Sequence, residues 1–300
     1  DDQRYVYSTF FASYLGEWDA VTQNYRMIRP YPERVTGEQP RSLKLRGNWN
    51  GPVFVSHLDP SVIYYGSQYL MKSADRGKTW EILSEDLTRN DKEHQGPGGY
   101  PISNEQITAE SYNNVFNIEE SPLAAGVIWV GSDDGLVNLT RDGGRTWRNV
   151  TPPDLPETII NVLEPSPHDS ATAYFAAAAY KLNDFTPYIY KTSDYGETWT
   201  KIVRGIPGNT FARSVREDPD RRGLLYAGTE TGLFVSFDDG SVWQELKLNL
   251  PEVPVTDLRI RQKDLVVSTQ GRSLWILDDL TPLHQISEAL AHADAYLYTP

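Results

Sequence analysis

Six acids fall in turn-rich stretches of this chain: Glu105, Glu110, Asp133, Asp134, Asp184 and Glu230. Acids on facing loops could do general acid–base work on a glycosidic bond. That chemistry needs two carboxyls roughly 5–10 Å apart across a cleft. Asp133 and Asp134 adjoin, and the others are scattered, so spacing selects no pair. Glu105, Glu110, Asp134, Asp184 and Glu230 stand as catalytic candidates, and none is assigned. Tyr100, Tyr112, Tyr180 and Phe185 could stack on sugar rings or on peptide side chains. Arg272 adds a cation in a further turn. Other chemistries find no support. None of the five histidines forms H-E-x-x-H, and no lysine follows Gly96-Pro97-Gly98-Gly99 as in a phosphate loop. No G-x-S-x-G elbow occurs. Asp218-Pro219-Asp220 has the start of a calcium loop but lacks its later oxygen ligands. No cofactor and no metal are expected.

What must position these groups is a repeat. Four copies of one hairpin occur: Ser73-Ala74-Asp75-Arg76-Gly77-Lys78-Thr79-Trp80, then 140–147, 192–199 and 236–243. Their fixed residues are Asp75, Gly77 and Trp80; Asp142, Gly144 and Trp147; Asp194, Gly196 and Trp199; Asp238, Gly240 and Trp243. Each copy lies between two strand-like runs, such as Tyr69-Leu70-Met71 and Glu81-Ile82-Leu83. The Asp can accept from amides of its own turn, and the Gly can take positive φ. The Trp offers a large apolar face to a neighbouring sheet. All twelve positions therefore have structural work. Val242 replaces the usual Thr of the fourth copy.

Composition excludes several partners. The net charge is −13, which opposes nucleic acid and anionic membrane surfaces. No apolar run is long enough for a spanning helix, so no direct membrane insertion is expected. With no cysteine, disulfides and thiolate metal sites are excluded. The chain begins at Asp1 without Met, as expected of a processed chain or a piece of a longer one.

Strand and turn signals divide residues 1–280 into six units at about 4–30, 48–84, 113–151, 158–204, 211–248 and 253–279. The first lacks its inner strand, and the last has no copy of the hairpin. Residues 281–300 read as a linker, with a short helix near Ile286–Ala291, or as a strand that closes a ring. The hairpin aspartates lie 67, 52 and 44 residues apart. One propeller blade takes roughly 40–50 residues, so the first interval carries an insertion at about 85–112. If the hairpins join third and fourth strands, they share one rim. The long links 29–47 and 85–112 and the second-to-third turns then share the other. Tyr100, Glu105, Glu110, Tyr112, Asp133, Asp134, Tyr180, Asp184, Phe185, Glu230 and Arg272 are assigned to that elaborated rim as the ligand-binding face.

The hairpin pattern S/T-x-D-x-G-x-T/S-W resembles the Asp-box, or BNR repeat, of sialidases, xyloglucanases and sortilin-type Vps10 domains. Further stretches, Pro52–Pro60, Ser84–Asp91, Gly228–Gly232 and Gly271–Leu280, resemble large exported bacterial proteins of the BNR-repeat or sortilin-like kind. The resemblance covers nearly all of residues 1–283. It implies an all-β propeller of four-stranded antiparallel blades, six in a ring or an arc of a larger one. It implies an extracytoplasmic, bacterial setting. It also implies a non-catalytic binding or scaffold role toward a protein, peptide or glycan. The alternatives are a polysaccharide-degrading hydrolase resembling xyloglucanases and a structural subunit of a surface or membrane-associated assembly, with a second propeller or a larger assembly as partner. The sialidase Arg-Ile-Pro signature is not present; Gly205-Ile206-Pro207 only ends a blade.

Overall fold

The computed structural model describes residues 4–11, 13–35, 37–49, 51–96, 111–287 and 295–299. Six antiparallel sheets follow one another along the chain. The first holds β1 (Tyr5–Phe10), β2 (Tyr14–Asp19) and β3 (Asn24–Met27). The second holds β4 (Val53–Val55), β5 (Ile63–Gly66), β6 (Leu70–Ser73) and β7 (Glu81–Ile82). The third holds β8 (Val115–Glu120), β9 (Ile128–Ser132), β10 (Val137–Thr140) and β11 (Arg148–Asn149). The fourth holds β12 (Ile159–Pro165), β13 (Ala173–Ala179), β14 (Asp184–Thr192) and β15 (Thr200–Lys201). The fifth holds β16 (Ala212–Glu217), β17 (Leu225–Thr229), β18 (Leu233–Ser236) and β19 (Gln244–Glu245). The sixth holds β20 (Val255–Arg261), β21 (Asp264–Thr269) and β22 (Leu274–Leu277).

One apolar cluster fills each junction between successive sheets. Leu15, Ile28, Tyr65 and Met71 join the first two. Tyr64, Leu70, Ile118 and Ile128 join the second and third. Trp129, Leu139, Leu163 and Phe175 join the third and fourth. Tyr174, Ile189, Val215 and Leu225 join the fourth and fifth, and Tyr226, Val235, Leu258 and Leu265 the fifth and sixth. Middle strands are therefore buried on both faces. In β13 the run Ala-Tyr-Phe-Ala-Ala-Ala-Ala is buried throughout. Alanine is a poor strand former, but small side chains let neighbouring sheets close on it.

The four hairpins join β6 to β7, β10 to β11, β14 to β15 and β18 to β19. Asp142 Oδ1 accepts the Thr146 amide at 2.9 Å, and Thr146 Oγ1 donates to its other oxygen at 2.7 Å. Asp75 repeats this with Thr79, and Asp194 with Thr198. These bonds, the threonine hydroxyl first, hold Asp75 and Asp142 down at about 2. At the fourth hairpin Val242 supplies only its amide, at 2.9 Å.

Each hairpin also locks onto the preceding sheet. The Trp80, Trp147, Trp199 and Trp243 indoles donate to the carbonyls of Ile28, Leu83, Val150 and Ile202 at 2.6–2.9 Å. The glycine of each hairpin rests on the same residue. A Cβ on Gly144 would stand 2.9 Å from Leu83 Cβ, and its φ is +96°. The residue before that glycine is left-handed as well: φ is 61° at Arg76, 60° at Tyr195 and 61° at Asp239. Sequence pattern assigned positive φ to the glycine alone. The conformation aims these side chains back at the neighbour. Arg76 grips Glu17 with two bonds of 2.7 and 2.9 Å. Tyr195 lies under Arg141, 3.8 Å from guanidinium to ring centroid. Asp239 pairs with Lys191 and accepts from the Tyr174 hydroxyl.

Two departures from four-stranded sheets occur, and the lock identifies the strands involved. Ile28 follows β3 as Leu83 follows β7, so β3 is a fourth strand. The first sheet thus holds strands two to four, without an inner strand among the described residues. The sixth holds strands one to three, without an outer one. The faces these two sheets turn away from the stack are bare and apolar. On the first, Val6 is 52% exposed, Phe10 47% and Tyr25 48%; on the sixth, Leu274 is 67% exposed and Ile276 59%.

After the sixth sheet, a short helix α1 (Thr281–Gln285) forms, earlier than the Ile286–Ala291 expected. Most of that expected segment lies outside the described residues. Residues 295–299 carry no strand, in place of the closing strand considered from sequence. The Gln285 side chain instead engages both backbone groups of Thr299, at 2.9 Å each.

Candidate functional site

Backbone hydrogen bonds sort the loops onto two rims. Gly143, Tyr195 and Asp239 of the hairpins donate to Gly126, Ala171 and Gly223 in the first-to-second turns. Asp133, Glu230 and Gln270 of the second-to-third turns donate to Asn114, Phe211 and Pro254, which enter the inner strands. Hairpins and links therefore occupy opposite ends of the stack.

On the link rim the acids are engaged locally. Asp133 and Asp134 sit in the turn after β9, 4% and 0% exposed. Asp133 accepts the Asn114 amide at 2.7 Å and the Asn48 and Asn114 side-chain amides at 3.2 Å. Asp134 accepts the Ser132 hydroxyl, the Asn113 side chain and the Arg89 amide, at 2.5–2.8 Å. Burial pushes both carboxyls up, and for Asp133 the neighbouring Asp134 adds to this. Arg46, 3% exposed, ties the same region together. It donates to Asn113 O, Asn90, Asp86 and Thr88 at 2.7–3.1 Å. The pair thus fastens both long links to β8 and β9. Sequence pattern did not single out Arg46; its only signal was a cation beside Gly47 in a polar link. Tyr112 is buried and donates to Glu157. Tyr100, Glu105 and Glu110 lie outside the described residues.

A second group on this rim exposes Phe185 and part of Tyr180 over the buried ring of Phe211. Tyr180 and Phe211 stack with centroids 4.8 Å apart, and Phe185 tilts against Phe211 at 6.2 Å. Phe185 is 46% exposed. Arg213 lies over Phe211 at 4.9 Å and pairs with Glu230 at 2.6 Å. The Thr210 and Thr231 hydroxyls meet at 2.9 Å on the same edge. The packing of neighbouring sheets thus brings together Tyr180 and Phe185, from the β13–β14 connection, and Glu230, from the β17–β18 turn. Phe211 and Arg213 complete the patch; both follow Thr210 just where β16 begins. An aromatic face with a half-shielded ion pair can stack planar groups and exchange hydrogen bonds with a polar chain. Asp184 stands apart, accepting the Thr186 amide at 2.9 Å and the Tyr188 hydroxyl at 2.7 Å. Arg272 is exposed in the turn between β21 and β22, and its carbonyl accepts the Trp275 indole at 2.9 Å.

One group of possible metal ligands occurs among the described residues: Asp218, Asp220 and His284. Asp218 is already committed. Its Oδ1 accepts the Asp220 and Arg221 amides, and its Oδ2 the Tyr226 hydroxyl, with His284 Nε2 at 2.9 Å. These contacts close a turn and hold α1 on it.

The six radial sheets define a β-propeller, and the solved structures this chain is similar to have that fold. "YCF48 bound to D1 peptide" matches with a TM-score of 0.56 at 16% identity, over 93% of this chain and 76% of that one. The GH74 xyloglucanase from Xanthomonas campestris matches at 0.57 and 15%, over 93% of this chain and 50% of that one. An extracellular domain from B. thetaiotaomicron, described as part of a hybrid two component system, matches at 0.60 and 15%, over 93% and 32%. The chain spans half the length of that xyloglucanase and about a third of that extracellular domain. No protein-family model matches the chain, and no curated protein does. No helix among the described residues is long and apolar enough to cross a membrane.

Proposed function

We propose that this chain is an extracytoplasmic Asp-box propeller of the sortilin-like type, which binds a protein or peptide segment without transforming it. The surface of Tyr180 and Phe185, backed by buried Phe211 and edged by Arg213 and Glu230, carries the reading. It offers aromatic faces and one charged pair but, among the described residues, no facing pair of free acids. Aromatic residues and arginine are the groups that most often anchor protein interfaces. Asp133, Asp134, Asp184 and Glu230 each spend their oxygens on local partners, which favours binding over hydrolysis. A propeller of similar fold is known with a peptide bound, and others are extracellular domains, which supports a ligand of this class and this location.

The test is a peptide and glycan array probed with the purified chain, followed by product analysis. The expected result is retention of peptides that come off chemically unchanged. Phe185→Ala and Arg213→Ala are each expected to weaken retention about tenfold, as loss of an interface anchor does. Release of reducing sugar from a polysaccharide would overturn the reading in favour of a hydrolase resembling xyloglucanases.

A scaffold reading has its own support. The bare faces of the first and sixth sheets, each short of a strand, suit further blades or a partner sheet in a larger assembly. Analytical ultracentrifugation that finds only monomer with those faces intact would count against it.

A further inference from the structure

The opposite rim carries a second site, on the axis. Inner strands β8, β12, β16 and β20 end there, and their last residues converge. Glu119 and Glu120 come from β8, Glu164 from β12, Arg216 and Glu217 from β16, and Arg259 from β20. A cavity of about 170 Å³ opens between them, with His57 at its edge. First-to-second turns surround it, so it lies on the hairpin rim.

Most of these groups are matched. Arg216, 3% exposed, donates to Glu164 at 2.8 Å, to Asp257 at 2.9 Å and to Leu258 O at 2.9 Å. Glu120 accepts from Ser56 and Tyr64. Glu119 differs. Its side chain is 6% exposed, yet its one ion-pair partner among the described residues is the guanidinium of Arg259, 3.5 Å away and 58% exposed. No hydrogen bond reaches it from the described residues. Burying a carboxyl without donors is costly, and this one faces a cavity. The lining holds four acids against two arginines, so a cation is the missing charge. A metal fits poorly: the sole trio of ligand atoms within 4.8 Å among the described residues lies elsewhere, at Asp218. Dispersed carboxylates suit a larger cation whose several N–H donors diverge.

We infer that this axial pocket binds a cationic side chain, the ammonium or guanidinium of a lysine or arginine on a protein ligand. Glu119 receives the charge, and Arg259 swings out toward solvent as it enters. The site is separate from the aromatic patch and does not depend on it.

Titration calorimetry of the full chain with three capped tripeptides tests this: glycyl-arginyl-glycine, its lysyl counterpart and its glutaminyl counterpart. At pH 8 the arginyl or lysyl peptide is expected to bind at least about tenfold more tightly than the glutaminyl one, the scale of one charge-assisted bond. Glu119→Gln should remove that preference, whereas Glu81→Gln, an exposed change on β7, should leave it. Burial raises Glu119 to about 7 against the pull of Arg216 and Arg259, with Glu164 and Asp257 adding to the rise. Cation binding needs the ionised form, so the preference should fall as pH drops from 8 to 6. The Gln variant mimics the protonated acid, and its unfolding temperature at pH 4, below the ordinary carboxyl value, should match the parent, which separates lost binding from lost folding. Equal binding of all three peptides, a preference that survives Glu119→Gln, or displacement of the peptide by millimolar calcium chloride would overturn the inference.

Discussion

Trp147 Nε1 donates to Leu83 O at 2.9 Å across 64 residues of chain, and the glycine three positions before Trp147 rests on the same leucine. One residue after each of the first four sheets thus receives both the indole bond and the close glycine approach of the next hairpin. Trp147→Phe keeps an aromatic ring and deletes the donor. It should cost about 1–3 kcal/mol, the penalty for stranding a shielded carbonyl. Trp275→Phe, whose indole bonds only Arg272 three residues away, should cost far less. Urea unfolding of both variants checks the contrast.

Gly144→Ala should be worse than a loop glycine change normally is. Its φ of +96° opposes a side chain, and the new Cβ would meet Leu83. A loss above roughly 2 kcal/mol is expected, combining backbone strain with overpacking. Gly208→Ala, where a Cβ would meet nothing within 4 Å, is the control for thermal unfolding.

Val242→Thr should stabilise the chain. Three hairpins give their aspartate a threonine hydroxyl four residues on, whereas the fourth gives Asp238 only the Val242 amide at that position, beside the Ser236 hydroxyl. Restoring the hydroxyl at this half-buried position should add about 0.5–1 kcal/mol, the net value of one such bond. An unchanged unfolding temperature would show that Asp238 is already satisfied by water.

Stability should fall as pH rises through the range that Glu119 spans. Its folded value of about 7 lies above the ordinary 4.5. The folded state therefore holds its proton more tightly, and the advantage fades between pH 4.5 and 7. At pH 8 Glu119→Gln should be more stable than the parent by on the order of 3 kcal/mol. The hairpin acids oppose this at the acid end. Asp75 and Asp142, lowered to about 2, contribute above pH 4 and lose that contribution as pH falls toward 2. A parent and variant whose unfolding free energies run parallel from pH 4 to 8 would contradict the assignment.

The repeat was legible because each hairpin encodes its own turn within eight residues. Asp75, Gly77 and Trp80 show their roles by type and spacing alone. Which rim each loop joins also followed, since strand count fixes it. The left-handed backbone at Arg76 and Tyr195 was not legible. Those residues accept strain because of a neighbour in another blade, and local pattern carries no trace of that neighbour. The same reason hid Arg46 and Glu119. Both act through groups 40 or more residues distant, brought close only when sheets stack. Phe211 carried no signal because it leads into a strand, where apolar and charged residues alternate in any case. The loop acids were visible as acids, but their hydrogen-bond commitments were not.

Because the four hairpin indoles reach backward, each to a carbonyl already present in an earlier sheet, the stack has a direction in time as well as in space. A ribosome releasing the chain offers each new hairpin a finished platform to clasp, so growth can advance one unit at a time from the amino-terminal side. The sixth sheet, which lacks a clasp, is then held by apolar contacts and by the bonds of Arg216 to Asp257 and Leu258 O, and is the first to detach when the array loosens.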